Sequence, residues 1–178
     1  MLYSNISLCY FNKKEYDRAL EDLNESISLN AMNPNAYNNR ASAYAGRGQY
    51  KKAIEDYNEA IRLSPITYIR LDHDLYKIHF NRGLAYSVTG RFARAIEDFS
   101  EAIRLNPQDA DAYYNRGLAH HNLGQYQLAI HDYDEAIRLD PLNSSAFTNR
   151  SAAYTDLAKY ERVAQNDDAG TLFAPDSV

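Results

Sequence analysis

A chain of 178 residues is long enough for one domain with a substantial core, and its 19 Lys and Arg against 24 Asp and Glu leave no clustered basic face for nucleic acid. The one cysteine, Cys9, excludes an internal disulfide and any multi-cysteine metal site. No apolar run has the length of a membrane span, and the opening Met1-Leu2-Tyr3-Ser4-Asn5 lacks the pattern of a secretory signal, so a soluble, cytoplasmic protein without nucleic-acid or membrane partners is expected.

The elements fall on a ruler. Ala19, Ala53, Ala95 and Ala129 are each followed by an aliphatic residue and preceded three residues earlier by Tyr16, Tyr50, Phe92 or Tyr126; the intervals are 34, 42 and 34 residues, and a further 34 lands on Val163. A period of this size marks short units that cannot bury an apolar face alone and must stack on their neighbours. The chain reads as one all-α domain over 1–178, with about five helix–turn–helix units at 1–33, 34–67, 76–109, 110–143 and 144–178 and an insertion at 68–75.

The first unit begins almost at its own first helix, carries Ser26 in place of an alanine and Ala31 in place of a closing proline, and is expected to fray. In the second, Tyr37, Ala41 and Tyr44 share one helical stripe, Gly46-Arg47-Gly48-Gln49 signals a turn, Ala53, Tyr57, Ala60 and Ile61 share the next stripe, and Pro65 closes the unit. Small alanines let the helix backbones approach, and the rings fill the space beside the crossing. In the insertion, Leu71 and Leu75 join Ile78 at helical spacing, which predicts a third-unit first helix lengthened by about two turns, with a surface loop as the competing form. Asp72, His73 and Asp74 cannot all ligate one ion from consecutive helical positions.

The third unit repeats the grammar with Gly83, Tyr86, Gly90, Phe92, Ala95, Phe99, Ala102 and Pro107, and the fourth with Tyr113, Gly117, Gly124, Tyr126, Ala129, Tyr133, Ala136 and Pro141. The fifth has a good first helix, with Phe147, Ser151, Tyr154 and Tyr160, but Val163, Asp167 and Gly170 spoil its second. A weak or short capping helix is expected over 161–173, with a loosely held tail at 174–178.

This pattern resembles the tetratricopeptide repeat family, in the form with bacterial-type N-R-G repeats, and the resemblance covers nearly the whole chain. It implies a right-handed α-solenoid. Thirteen of the sixteen tyrosines sit at four aromatic positions of the repeat, so they are expected in the core or at its edge; Tyr68, Tyr76 and Tyr114 fall elsewhere.

Catalytic motifs are absent: the chain has no glycine-rich phosphate loop, no H-E-x-x-H and no nucleophile elbow, so neither an enzyme nor a cofactor is expected. His120 occupies an aromatic core position, and His121 is expected toward the inner surface. The carboxylates of the second helices, such as Glu55, Asp56 and Glu59 or Glu97, Asp98 and Glu101, read as a solvated convex face spaced against Arg62, Arg104 and Arg138.

A more particular signal is the ladder Asn39, Asn81, Asn115 and Asn149, each just before an arginine, with Asn5 at the equivalent place in the first unit. In proteins this fold resembles, the superhelical O-GlcNAc transferase among them, such an asparagine lies on the concave surface and bonds the backbone of an extended peptide. A carboxamide suits that task, since it both donates and accepts. The alternative is that these asparagines bond neighbouring helices and tighten the stack. The following arginines, Arg40, Arg82 and Arg116, are expected to form structural ion pairs with Asp56, Asp98 and Asp132; unit one instead pairs Ile6 with Asp22, and unit five pairs Arg150 with Asn166.

Inner-face positions implied by the resemblance are Ser4, Asn38, Phe80, Tyr114 and Thr148 at one level and Phe11, Ala45, Ser87, His121 and Thr155 at another. Phe80 and Tyr114 are expected to form an apolar anchor, and Lys77 adds one charge at the groove edge. A carboxylate clamp is not expected, because Asn81 stands where its arginine belongs. These features imply a scaffold that binds an extended peptide or a helix of a partner protein in its concave groove. The alternatives are a weakly self-assembling module using incomplete end repeats, or the targeting segment of a larger enzyme.

Overall fold

The computed structural model describes the backbone of residues 16–64 and 72–172, and side chains within 16–64 and 75–162. Eight α-helices occupy those residues: α1 (Tyr16–Leu29), α2 (Pro34–Gly46), α3 (Tyr50–Leu63), α4 (Asp72–Val88), α5 (Phe92–Leu105), α6 (Ala110–Asn122), α7 (Tyr126–Leu139) and α8 (Ser144–Leu172). Each packs on the next in chain order, and α2, α4, α6 and α8 also touch in sequence as one layer of a right-handed α-solenoid. None of these helices is long and apolar enough to cross a membrane.

Local chemistry sets the boundaries. Asn33 caps α2 by accepting from the Asn35 amide at 3.1 Å, ahead of Pro34 in the first turn, and Asp109 caps α6 by accepting from Asp111 N at 2.8 Å. Between the two helices of units two, three and four stand Gly48, Gly90 and Gly124, with φ of 73°, 73° and 72°. Only glycine enters that left-handed region without strain, so the chain turns there and a second helix starts.

The ruler alanines Ala19, Ala53, Ala95 and Ala129 are wholly buried at the crossings, as are Ala60, Ala102 and Ala136. Beside them Tyr57, Phe99 and Tyr133 fill equivalent places, and burying each ring contributes roughly 2–3 kcal/mol. Gly83 and Gly117 lie under the last two rings, where an added Cβ would come within 2.8 Å of Phe99 and 2.9 Å of Tyr133.

Two expectations are corrected. Asp56 and Asp98 do not belong to the solvated face, for they are buried, whereas Glu59, Glu101 and Glu135 do pair along the surface with Arg62, Arg104 and Arg138. One turn of the expected lengthening of α4 is seen, since α4 starts at Asp72, four residues ahead of the repeat's own start at Tyr76; the remainder, at 68–71, lies outside the described residues.

In the fifth unit no separate capping helix forms, because α8 runs unbroken from Ser144 to Leu172. The position of Gly48, Gly90 and Gly124 is taken there by Ala158, whose Cβ disfavours the left-handed turn, and the helix continues. With no helix folding back, Tyr154 and Tyr160 are exposed, unlike the tyrosines of the inner units. Asn5, Cys9 and the fraying of the first unit fall outside the described residues, as does the tail at 174–178.

Candidate functional site

The layer of first helices carries two recesses that repeat one unit apart. The larger, about 370 Å³, lies between α2 and α4 and is lined by Ser42, Ala45, Asn81, Leu84, Ala85 and Val88, with Tyr50 and Tyr57 of α3. The second, about 250 Å³, lies between α4 and α6 and is lined by Ser87, Val88, Asn115, Leu118, Ala119 and Asn122, with Phe92 of α5. Asn115, Leu118, Ala119 and Asn122 stand one period after Asn81, Leu84, Ala85 and Val88, so the two recesses are the same surface written twice. Val88 lines both, and neither lining contains a charged residue.

Polar groups are few and placed. In the first recess, the hydroxyls of Tyr57 and Ser42 lie 3.1 Å apart, and burial pushes the Tyr57 phenol up to about 12. In the second, Asn115 donates from Nδ2 to the Asp111 carbonyl at 2.8 Å, which leaves its Oδ1 for another donor. Ser87 Oγ is buried there without a partner among the described residues.

One unit further the same place is filled. His121 Nε2 lies 3.1 Å from Asp156 Oδ2, and the His121 ring meets Tyr126 edge-on at 5.4 Å. Lys159, bonded to Asp156 at 3.0 Å, holds that carboxyl below the usual range, with His121 as a lesser contributor. A small cavity of about 190 Å³, lined by Tyr114, Ser144, Ser145, Thr148 and Asn149, lies beside this filled place between α6 and α8.

The asparagine ladder divides. Asn81 and Asn115 stand on recess walls, while Asn149 donates from Nδ2 to the Tyr114 hydroxyl at 2.9 Å and ties α8 to α6. Asn39 is half-buried on α2, outside the recesses. Phe80 and Tyr114 each turn to their own unit's second helix, with ring centroids 5.8 Å from Phe99 and 6.0 Å from Tyr133, so the ring contacts do not join them into one anchor. Lys77 is exposed and lines neither recess. Sequence reasoning missed Ser42, Leu84, Val88, Leu118 and Asn122. Asn81, Leu84, Ala85 and Val88 share the i, i+3, i+4, i+7 stripe that could have found them.

Under this layer the arginines act as clamps. Arg40, Arg82 and Arg116 each donate from Nε and Nη2 to both oxygens of Asp56, Asp98 and Asp132, at 2.6 to 2.9 Å. Their Nη1 atoms reach back to Asn24, Asn58 and Ser100 on the second helix of the unit before. The expected ion pairs therefore hold within a unit and are extended between units.

Comparison with known proteins agrees with this architecture. Profiles described as tetratricopeptide repeat match residues 34–65 and 80–144, and one described as TPR repeat matches residues 9–46. The chain belongs to the tetratricopeptide repeat family. Among solved structures similar to this tetratricopeptide repeat protein is YrrB, described as a TPR protein with an unusual peptide-binding site. It is 21% identical with a TM-score of 0.76, over 98% of this chain and 86% of that one. MamA from Desulfovibrio magneticus RS-1 is 21% identical with a TM-score of 0.73, over 94% and 96%. The first TPR of Spaghetti (RPAP3), bound to the HSP90 peptide SRMEEVD, is 26% identical with a TM-score of 0.63, over 70% and 93%. No curated protein sequence matches the chain.

Proposed function

We propose that this protein is an interaction scaffold that holds an extended peptide of a partner protein across the layer of first helices, with Asn81 and Asn115 bonding its backbone. The observation that carries the reading is the repeated recess: two equivalent hollows, each walled by one ladder asparagine and open beside it. Neighbouring packed helices are about 8–10 Å apart and an extended chain advances about 3.3 Å per residue, so the two asparagines suit peptide units about three residues apart. The Spaghetti domain supports the reading as a similar fold holding a peptide. Its ligand carries acidic side chains, whereas the recesses here have no charged lining, so an uncharged stretch suits them better.

Panning a displayed peptide library against the protein, then titrating enriched peptides by fluorescence polarisation, tests this. Asn81→Ala with Asn115→Ala is expected to weaken binding about 30-fold, at about 1 kcal/mol for each lost hydrogen bond, with an unchanged circular dichroism spectrum. Undiminished binding by a folded double variant would reject the groove as the site.

A further inference from the structure

One side of α8 is left without a cover. Arg40, Arg82 and Arg116 each grip an aspartate of the following helix with Nε and Nη2. Arg150, one unit on, stacks over the Phe147 ring at 5.4 Å and bonds through Nη1 alone, to Asp134; its Nε and Nη2 have no partner among the described residues. Phe147 and Tyr154 on the same stripe are 42% and 53% exposed, where Tyr113 and His120, one period earlier, are half-buried. Because α8 continues past Ala158 to Leu172, no second helix of unit five folds back over this side.

The stripe carries both charges of a pair. Glu161 stands eleven residues, or about three turns, after Arg150, so it lies on the same side of α8. It is exposed and makes no ion pair among the described residues. Between the two charges, Tyr154 presents an exposed ring and Ala158 an exposed small side chain. The midpoint of Arg150 and Glu161 and the midpoint of Tyr154 and Ala158 fall within about 1 Å of each other along the axis, at about 1.5 Å per residue. One two-fold axis through that point satisfies both pairs at once. A second α8 laid antiparallel brings Glu161 to Arg150 and Ala158 to Tyr154, each twice. Antiparallel is also the sense in which α7 covers α6, since Arg116 meets Asp132 while His121 meets Tyr126. Residues 173–178 of the same chain cannot serve as the cover, because they extend at most about 20 Å while Tyr154 lies about 27 Å of helix before Leu172.

We propose that this side of α8 binds the same side of α8 in a second copy of the chain, as an antiparallel pair. Arg150 of each copy takes Glu161 of the other with the fork that its own unit leaves unused, and a guanidinium and a carboxylate match there in shape as well as charge. Tyr154 of each copy seats against Ala158 of the other, where a larger side chain would hold the helices apart. The same patch serves on both copies, so the contact closes at two.

Sedimentation velocity from micromolar to millimolar loading tests this with two charge variants, Arg150→Glu and Glu161→Arg. The unaltered protein is expected to grow in mass with concentration and to level at two copies. Each variant alone sets like charges against each other at both ends of the pair and should associate at least about tenfold more weakly. An equimolar mixture of the two should regain the dimer. There the substituted glutamate of one copy meets the substituted arginine of the other, and the native Arg150 meets the native Glu161. The mixture also controls for misfolding, since unfolded copies would not rescue each other. An unaltered protein that stays monomeric throughout, growth beyond two copies, a single variant that associates as the unaltered protein does, or a mixture no larger than its parts would each overturn the proposal.

Discussion

Arg82 closes a fork on Asp98, with Nε to Oδ2 at 2.8 Å and Nη2 to Oδ1 at 2.6 Å, while Nη1 reaches Asn58 of the preceding unit at 2.7 Å. One side chain thus joins the two helices of its own unit to the unit before. Asp98 is only 3% exposed, and its remaining partner is His79, whose Nδ1 lies 2.9 Å from Oδ1. Removing the guanidinium leaves a buried carboxylate short of a counter-charge, so Arg82→Ala is expected to cost about 3 kcal/mol. Arg94→Ala, which breaks an exposed pair with Glu97 in the same unit, should leave stability almost unchanged. Urea unfolding of both variants checks the contrast. Equal losses would show that the fork adds nothing beyond a surface pair.

The turn glycines and Ala158 form a second test. Gly124→Ala forces a Cβ into φ of 72° and should cost about 1–2 kcal/mol, although nothing lies within 4 Å of that Cβ to clash with it. The unbroken α8 should hold spin labels at Ser145 and Thr171 roughly 39 Å apart, at 1.5 Å of rise per residue. A double electron–electron resonance distance less than half of that would mean that the unit folds back as a hairpin after all.

What the sequence disclosed follows from the range of each interaction. The ruler, the turn glycines and the arginine forks are set by residues at fixed spacing within one unit or its neighbour, and a period exposes them. The straight α8 was legible too, had Ala158 been compared with Gly124 and not only Val163 with Ala129. The recesses were harder, because a hollow depends on what the facing helix leaves unfilled. His121 sits at the same repeat position as Ala45 and Ser87, yet it closes its recess only because Asp156 and Tyr126 meet it. The tie from Asn149 to Tyr114 needs two units placed together, so no pattern inside one unit announces it.

Tyr57 makes stability depend on pH at the alkaline end. Its phenol is raised from 10.0 to about 12, mainly by burial, with the Ser42 bond acting the other way. An acid whose folded pKa is raised keeps its proton longer in the folded state, so its contribution is whole below about pH 10 and lost as pH climbs toward 12. A shift of this size corresponds to roughly 2–3 kcal/mol of folding free energy lost across that window. Tyr57→Phe should flatten the alkaline fall in melting temperature between pH 10 and pH 12. If the variant falls as steeply as the unaltered protein, Tyr57 is not responsible.

Val88 separates binding from folding. It is 62% exposed on α4, yet it lines both recesses, so it stands where any peptide spanning them must pass. A surface position of this kind tolerates substitution within about 0.5 kcal/mol. Val88→Glu places a charge between two uncharged hollows, and an apolar ligand side chain seated in either would have to desolvate it. Binding of peptides selected on the unaltered protein should therefore fall by about tenfold or more, while the melting temperature moves by no more than a few degrees. Fluorescence polarisation and thermal melts on the same preparation give both quantities. A variant that melts normally and binds normally would place the peptide away from the two recesses.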